Sequence, residues 1–192
     1  MSTNAEHVLQ RIEQQSRQTF LPIIGPVKGA LLRELVEKHR PAHILEVGLL
    51  VGYSAILMAD AYGGCTVTSL EVDPETAAVA RRNIADAGVG ERVTIIVGDA
   101  KETIAELRGP FDLVLLDAAK EEYLTYLKLL QKRHLLSPRC VIVADNTKMF
   151  RDALQGYLRY VRAHYLSSEH DFGRDAVEVS VSKVNAGDTG CS

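Results

Sequence analysis

The sequence predicts one α/β domain built on a mostly parallel, seven-stranded sheet with helices on both faces and an antiparallel hairpin at its C-terminal end. Three observations predict it. Five short apolar runs, rich in Val, Ile and Leu, recur along the chain, most without two-residue alternation; strands covered on both faces read this way. Segments of helical length and period separate these runs, and repeated strand–helix units imply parallel pairing. Near the end the pattern switches to strict alternation, the mark of an antiparallel strand.

The elements follow in order. The segment Glu6–Thr19 places Val8, Leu9 and Ile12 on one helical face, which could cover a ligand or pack on a second subunit as a homodimer. Strands are expected at His43–Val47, Thr66–Leu70, Val93–Val97, Leu113–Leu116 and Val141–Ala144. After the second, Asp73 is a candidate N-cap, Pro74 suits the first helical position and Gly88 can end the helix. Ala77, Ala80, Ile84 and Ala87 then form its apolar face. A late helix carries Phe150, Leu154, Tyr157, Leu158 and Val161 at helical spacing. In the closing strand Val177, Val179 and Val181 alternate with Glu178, Ser180 and Ser182, predicting a half-buried strand paired with the stretch near Tyr165–Glu169. One domain over residues 1–184 is expected, its first 20 residues an N-terminal helix or lid, with residues 185–192 a disordered tail.

With 192 residues the chain can bury a substantial core. Its 22 Lys plus Arg against 25 Asp plus Glu give a net charge of -3, which offers no global attraction to nucleic acid. No apolar stretch approaches the roughly 20 residues that span a bilayer, and no basic-then-apolar leader opens the chain. The three cysteines, Cys65, Cys140 and Cys191, have neither metal-ligand spacing nor an even count. Cys65 and Cys140 head apolar runs and read as buried thiols, so a cytoplasmic setting is expected.

In a parallel sheet the ligand crevice lies beyond the carboxyl ends of the strands. The first strand runs into Glu46-Val-Gly48-Leu-Leu-Val-Gly52-Tyr53-Ser54, a tight glycine-bearing turn into a helix. Its Gly-x-x-x-Gly spacing differs from the Gly-x-Gly-x-x-Gly of dinucleotide binders. The second strand leads into Glu71, about 20 residues beyond the glycine turn, where a carboxylate can accept from a ribose diol. The third ends Gly98-Asp99-Ala100, where an adenine could sit; Asp99 reads equally well as a helix cap. The fourth ends in Asp117, with Lys120 one helical turn on, and the fifth in Asp145-Asn146. Asp and Asn are depleted in strands, yet here they close two apolar runs. Neighbouring strands lie about 4.8 Å apart, so Asp117, Asp145 and Asn146 can converge on one point. Three hard oxygens suit Mg²⁺, bound at about 2.0–2.1 Å, and do not suit zinc. Lys120 is either a proton acceptor beside that ion or a solvated lysine at a helix start.

These motifs together resemble the metal-dependent O-methyltransferases related to catechol O-methyltransferase. The resemblance rests on Gly25-Pro-Val-Lys-Gly29, Leu45–Ser54, Leu70–Pro74, Leu116–Lys120 and Ala144–Asn146, and extends from about Phe20 to Val184. It implies a Rossmann-like class I methyltransferase fold, with S-adenosylmethionine held by Glu46, Gly48, Gly52, Tyr53, Ser54, Glu71, Asp99, Ala100 and Asp117. It further implies a divalent cation, Mg²⁺ or another, on Asp117, Asp145 and Asn146, with Lys120 as the base. Glu169 falls where the catechol enzyme holds the second hydroxyl of its acceptor. The acceptor wall departs from the family: this chain has no Trp, and Phe20 and Ala119 stand where the catechol enzyme has tryptophans, with Phe150 near its proline. A small vicinal-diol or catechol-like molecule is the implied acceptor, and the departures admit one bulkier than catechol.

Three rival readings fit the sequence less well. A nicotinamide-dependent oxidoreductase would leave Asp117, Asp145 and Asn146 without work. A methyltransferase for a hydroxylated tRNA base would share the cofactor and metal, but the acidic balance disfavours it. A noncatalytic binder would not need the acids together with Lys120.

Overall fold

The computed structural model describes residues 2–183, so the tail expected from Asn185 and the thiol of Cys191 lie outside the described residues. The chain runs α1 (Thr3–Gln18), α2 (Gly25–His39), β1 (His43–Val47), α3 (Tyr53–Ala61), β2 (Thr66–Glu71), α4 (Pro74–Asp86), β3 (Val93–Val97) and α5 (Ala100–Glu106). It continues β4 (Phe111–Leu116), α6 (Tyr123–Lys132), β5 (Leu136–Ala144), α7 (Arg151–His164), β6 (Tyr165–Asp171) and β7 (Ala176–Ser182). Seven strands form one sheet in the order β3-β2-β1-β4-β5-β7-β6. All five expected apolar runs are parallel strands, and β7 lies antiparallel between β5 and β6. The strand order reverses direction between β1 and β4, which places a crevice at their carboxyl ends.

Successive side chains of each strand enter opposite cores. On one face Ile44, Leu113, Leu115, Val141 and Val143 pack with residues of α1, α2, α3 and α4. On the other Leu45, Val47, Val114, Leu116, Ile142 and Ala144 pack with α5, α6 and α7. Continuous apolar runs are therefore the sequence consequence of two covered faces. Helix α4 forms as its sequence dictates: Asp73 accepts from the Glu75 and Thr76 backbone N–H groups, Pro74 takes the first position and Gly88 follows the helix at φ +73°. Ala77, Ala80, Ile84 and Ala87 are buried, as expected. So are Cys65 and Cys140, both free thiols.

Two expectations are corrected. The apolar face of α1 neither covers the ligand crevice nor remains free for a second subunit. Ala5, Val8, Leu9 and Ile12 join the core cluster that includes Met58 of α3 and Ile84 of α4. Strand β7 is not half-buried either: Glu178 and Ser180 have no exposed surface. Alternation suggested a wet face, but α7 covers it. Its Arg162 reaches across to Glu178, donating from Nε at 2.8 Å and from a terminal nitrogen at 2.7 Å, while Ser167 Oγ donates to the same carboxylate at 2.9 Å. A polar residue in a strand was thus a buried partner.

Candidate active site

The carboxyl ends of β1, β2, β3, β4 and β5 surround one cavity of about 870 Å³. Its floor begins at Gly48. At φ +101°, a Cβ on Gly48 would stand 2.3 Å from the Asp117 carbonyl oxygen, so only glycine lets the β1 turn close on the end of β4. That contact joins the two halves of the site. Gly52, at φ +87°, has a different job: a Cβ there would meet Ile84 at 3.3 Å. It seats α3 against α4 and does not line the cavity, contrary to the role the resemblance implied.

Glu71 closes the wall from β2. Its Oε2 accepts from Leu50 N–H at 2.9 Å and its Oε1 from Asp73 N–H at 3.0 Å. Both bonds are to backbone, which fixes the carboxylate while each oxygen keeps a lone pair for a diol. Beyond it Gly98, Asp99 and Ala100 line the cavity, and Asp99 also caps α5 by accepting from Lys101 N–H at 2.8 Å. Asp99 thus caps the helix while facing the cavity. Tyr53 and Ser54 face the cavity from the first turn of α3, and Tyr53 donates to Glu13 of α1 at 2.6 Å.

Glu46 lies behind that wall. Fully buried, it accepts from Ser54 and Ser69 and does not line the cavity, so it supports Ser54 from beneath. Burial pushes its carboxyl from 4.5 up to about 8, despite both serine hydrogen bonds. A carboxyl raised in the native state contributes stability that is complete below its unfolded pKa and is lost as pH rises through the folded value. Between pH 4.5 and pH 8 the native state should therefore weaken on account of Glu46. Glu46→Gln keeps the shape without the charge. It should stabilise the protein at pH 8.5 by on the order of 3 kcal/mol and change little at pH 4.5, as urea denaturation at the two pH values will read.

The acidic wall is set by sheet register. Leu116 pairs with Val47 on one side and Ala144 on the other. The next residues continue both ladders: Asp117 N–H donates to Val47 at 2.9 Å and Asp145 N–H to Leu116 at 3.0 Å. Asp117 and Asp145 thus leave adjacent strands at the same level. Asn146 follows at φ +63°, a left-handed conformation that asparagine tolerates, and all three line the cavity. Burial pushes Asp117 up to about 6, against the pull of Lys120 and helped by the charge of Asp145. Burial raises Asp145 too. Lys120 Nζ donates to Asp117 Oδ1 and to the Tyr123 hydroxyl, each at 2.8 Å, and lies 5.9 Å from the centre of the Phe150 ring.

Two residues of this wall had no role assigned from the sequence. Lys28, in the first turns of α2, donates to both Asp145 oxygens at 2.6 and 2.7 Å and to Asp175 Oδ2 at 2.8 Å. Burial alone would lower its pKa, but Asp145 and Asp175 hold it above its ordinary value. Asp175, just before β7, also accepts from Asn146 Nδ2 at 2.7 Å. Burial pushes Asp175 up, yet the bonds from Lys28 and Asn146 outweigh it and leave its carboxyl low. One signal was available: a lysine near the positive end of a helix is uncomfortable without acids nearby. Glu169, by contrast, is not brought to the cavity. It pairs across the ladder with Glu178, on the α7 side, and its carboxylate is held by Arg151 and Arg162 at 2.9 and 2.8 Å.

The donor set fits a hard divalent cation. Among the described residues no three His, Cys, Asp or Glu side chains cluster as metal ligands, so Asn146 would be the third donor beside Asp117 and Asp145. Its amide suits the part: Asp175 can only accept, which turns Nδ2 toward Asp175 and leaves Oδ1 for another partner. Phe20, Met149 and Phe150 add apolar lining to the cavity, with Phe20 96% exposed.

The strand order and the crevice beside its reversal define a class I methyltransferase fold. Residues 1–158 match the O-methyltransferase family model, and the chain belongs to that family. It is 39% identical over 166 residues to the transmembrane O-methyltransferase of Homo sapiens, covering 82% of this chain and 56% of that protein. To the catechol O-methyltransferase of Mus musculus it is 30% identical over 164 residues, 82% of this chain and 61% of that protein. The chain thus spans little more than half the length of these relatives. An O-methyltransferase from Bacillus cereus, solved in complex with SAH, superposes with a TM-score of 0.80 at 25% identity, covering 95% of this chain and 92% of that one. None of the described helices is long and apolar enough to cross a membrane.

Proposed function

We propose that this chain transfers a methyl group from S-adenosylmethionine to one hydroxyl of a small acceptor bearing vicinal oxygens, with Mg²⁺ or another divalent cation on Asp117, Asp145 and Asn146. The observation that carries the reading is the shared wall: three oxygen-bearing side chains at consecutive strand ends face the cavity that Gly48 and Glu71 line. S-adenosylmethionine supplies an electrophilic methyl on a sulfonium, and a divalent cation supplies charge that makes an acceptor hydroxyl more acidic. Glu71 accepts the ribose hydroxyls, while the Gly48–Val51 backbone and Ser54 fix the methionine end. Lys120, acting as the neutral amine, takes the hydroxyl proton at Nζ. The acceptor oxygen then forms a bond to the methyl carbon as the carbon–sulfur bond breaks and its electron pair returns to sulfur. Phe20, Met149 and Phe150 orient the acceptor. Ala119, small beside them, leaves room for an acceptor bulkier than catechol. The free thiols of Cys65 and Cys140 suit a reducing, cytoplasmic setting.

Calorimetry with S-adenosylhomocysteine and with NAD tests the cofactor assignment: binding of the first and not the second is expected. Glu71→Ala should weaken S-adenosylhomocysteine binding roughly 10- to 100-fold, the worth of hydrogen bonds to a fixed charge. Preference for NAD would overturn the assignment.

A further inference from the structure

Lys28 and a divalent cation draw on the same carboxylate. The ammonium is bound by both oxygens of Asp145, at 2.6 and 2.7 Å, and by Asp175 Oδ2 at 2.8 Å. The three side chains are only 12%, 2% and 10% exposed, so water screens their charges weakly. Any dication seated on Asp145 lies within a few ångströms of that ammonium and is repelled by it. Asp175 stands where it can relieve the conflict. Its Oδ2 already shares Lys28 and accepts from Asn146 Nδ2 at 2.7 Å, while its Oδ1 accepts from Met149 N–H at 3.1 Å. The backbone bond keeps the carboxylate facing both partners.

We propose that Lys28 is a built-in competitor for the divalent cation at Asp145, and that Asp175 is a positioning residue that tips the contest toward the metal. It does so by drawing the Lys28 ammonium away from Asp145 and by holding the Asn146 amide with its oxygen turned to the ion. The proposal rests on the metal reading above. Its consequence is a cation held more loosely than two carboxylates and an amide alone would hold it, and therefore readily exchanged.

Mn²⁺ binding, read by the loss of free-ion EPR signal with S-adenosylhomocysteine present, tests it without reference to turnover. Lys28→Met should tighten Mn²⁺ binding at least tenfold. Lys28→Gln, which keeps one donor for the acids and guards against misfolding of the methionine variant, should shift binding the same way. Asp175→Asn should weaken binding about tenfold, and adding Lys28→Met to it should recover most of that loss, since the lysine then no longer competes. Affinity unchanged or lowered in both Lys28 variants would overturn the proposal, as would an Asp175→Asn variant that binds Mn²⁺ like the wild type. The metal reading is judged separately by Asp145→Asn: if that variant binds Mn²⁺ as well as the wild type, the ion is not on this wall and both readings fall.

Discussion

Asp145→Ala should lower methyl transfer in saturating Mg²⁺ by about 10³-fold, because the charge of a catalytic metal is worth several kcal/mol of transition-state stabilisation. S-adenosylhomocysteine affinity should stay within about threefold, since Asp145 is at the end of β5 and the residues expected to hold the cofactor follow β1, β2, β3 and β4. The substitution should be tolerated by the fold. Lys28 keeps its bond to Asp175 at 2.8 Å, so no buried ammonium is stranded. Steady-state kinetics over a range of Mg²⁺, beside calorimetry of the product cofactor, separates the two effects. Equal loss of both would mean that the strand end supports the whole pocket and not the ion alone.

The largest effect on stability is expected far from the cavity. Arg162→Met leaves the fully buried carboxylate of Glu178 without its bidentate partner. Removing one member of a buried pair costs about 3–5 kcal/mol. The lower end applies here, about 3 kcal/mol, because the Arg162 side chain is 42% exposed and Ser167 still donates to Glu178. Exchanging Glu178 for Gln in the same variant should return much of the loss by removing the stranded charge. Denaturant unfolding of the two variants measures both numbers, and a single variant as stable as the wild type would show that the pair contributes nothing.

The parallel part of the fold was legible because two covered faces leave unbroken apolar runs, and because the cap, proline and glycine of α4 each stand where local geometry requires them. Boundaries were less so. Strand β5 begins at Leu136, but Pro138 and Arg139 hide its first half, where the register with β4 shifts. The acids at the strand ends could be read because Asp and Asn are out of place after apolar strands. The position of Lys28 near a helix start hinted at acids nearby, but not which ones: the partners of Lys28 and Asp175 lie 117 and 29 residues away, and only the folded sheet brings them to one wall. Glu169 was carried over by counting along an ungapped stretch. Counting fixes a position on a strand but not the competition for its side chain, and here Arg151 and Arg162 win it. Glu46 and Gly52 sit in the right motif yet act one layer back, beneath Ser54 and against Ile84.

Whether Asp117, Asp145 and Asn146 hold a cation beside the bound sulfonium can be read by following labelled methyl from S-adenosylmethionine onto a panel of vicinal diols, catechols among them, in EDTA and then in Mg²⁺. Transfer to at least one diol should fall more than about 100-fold under chelation and return with the added metal. Undiminished transfer in EDTA would mean that no cation on this wall takes part in the reaction.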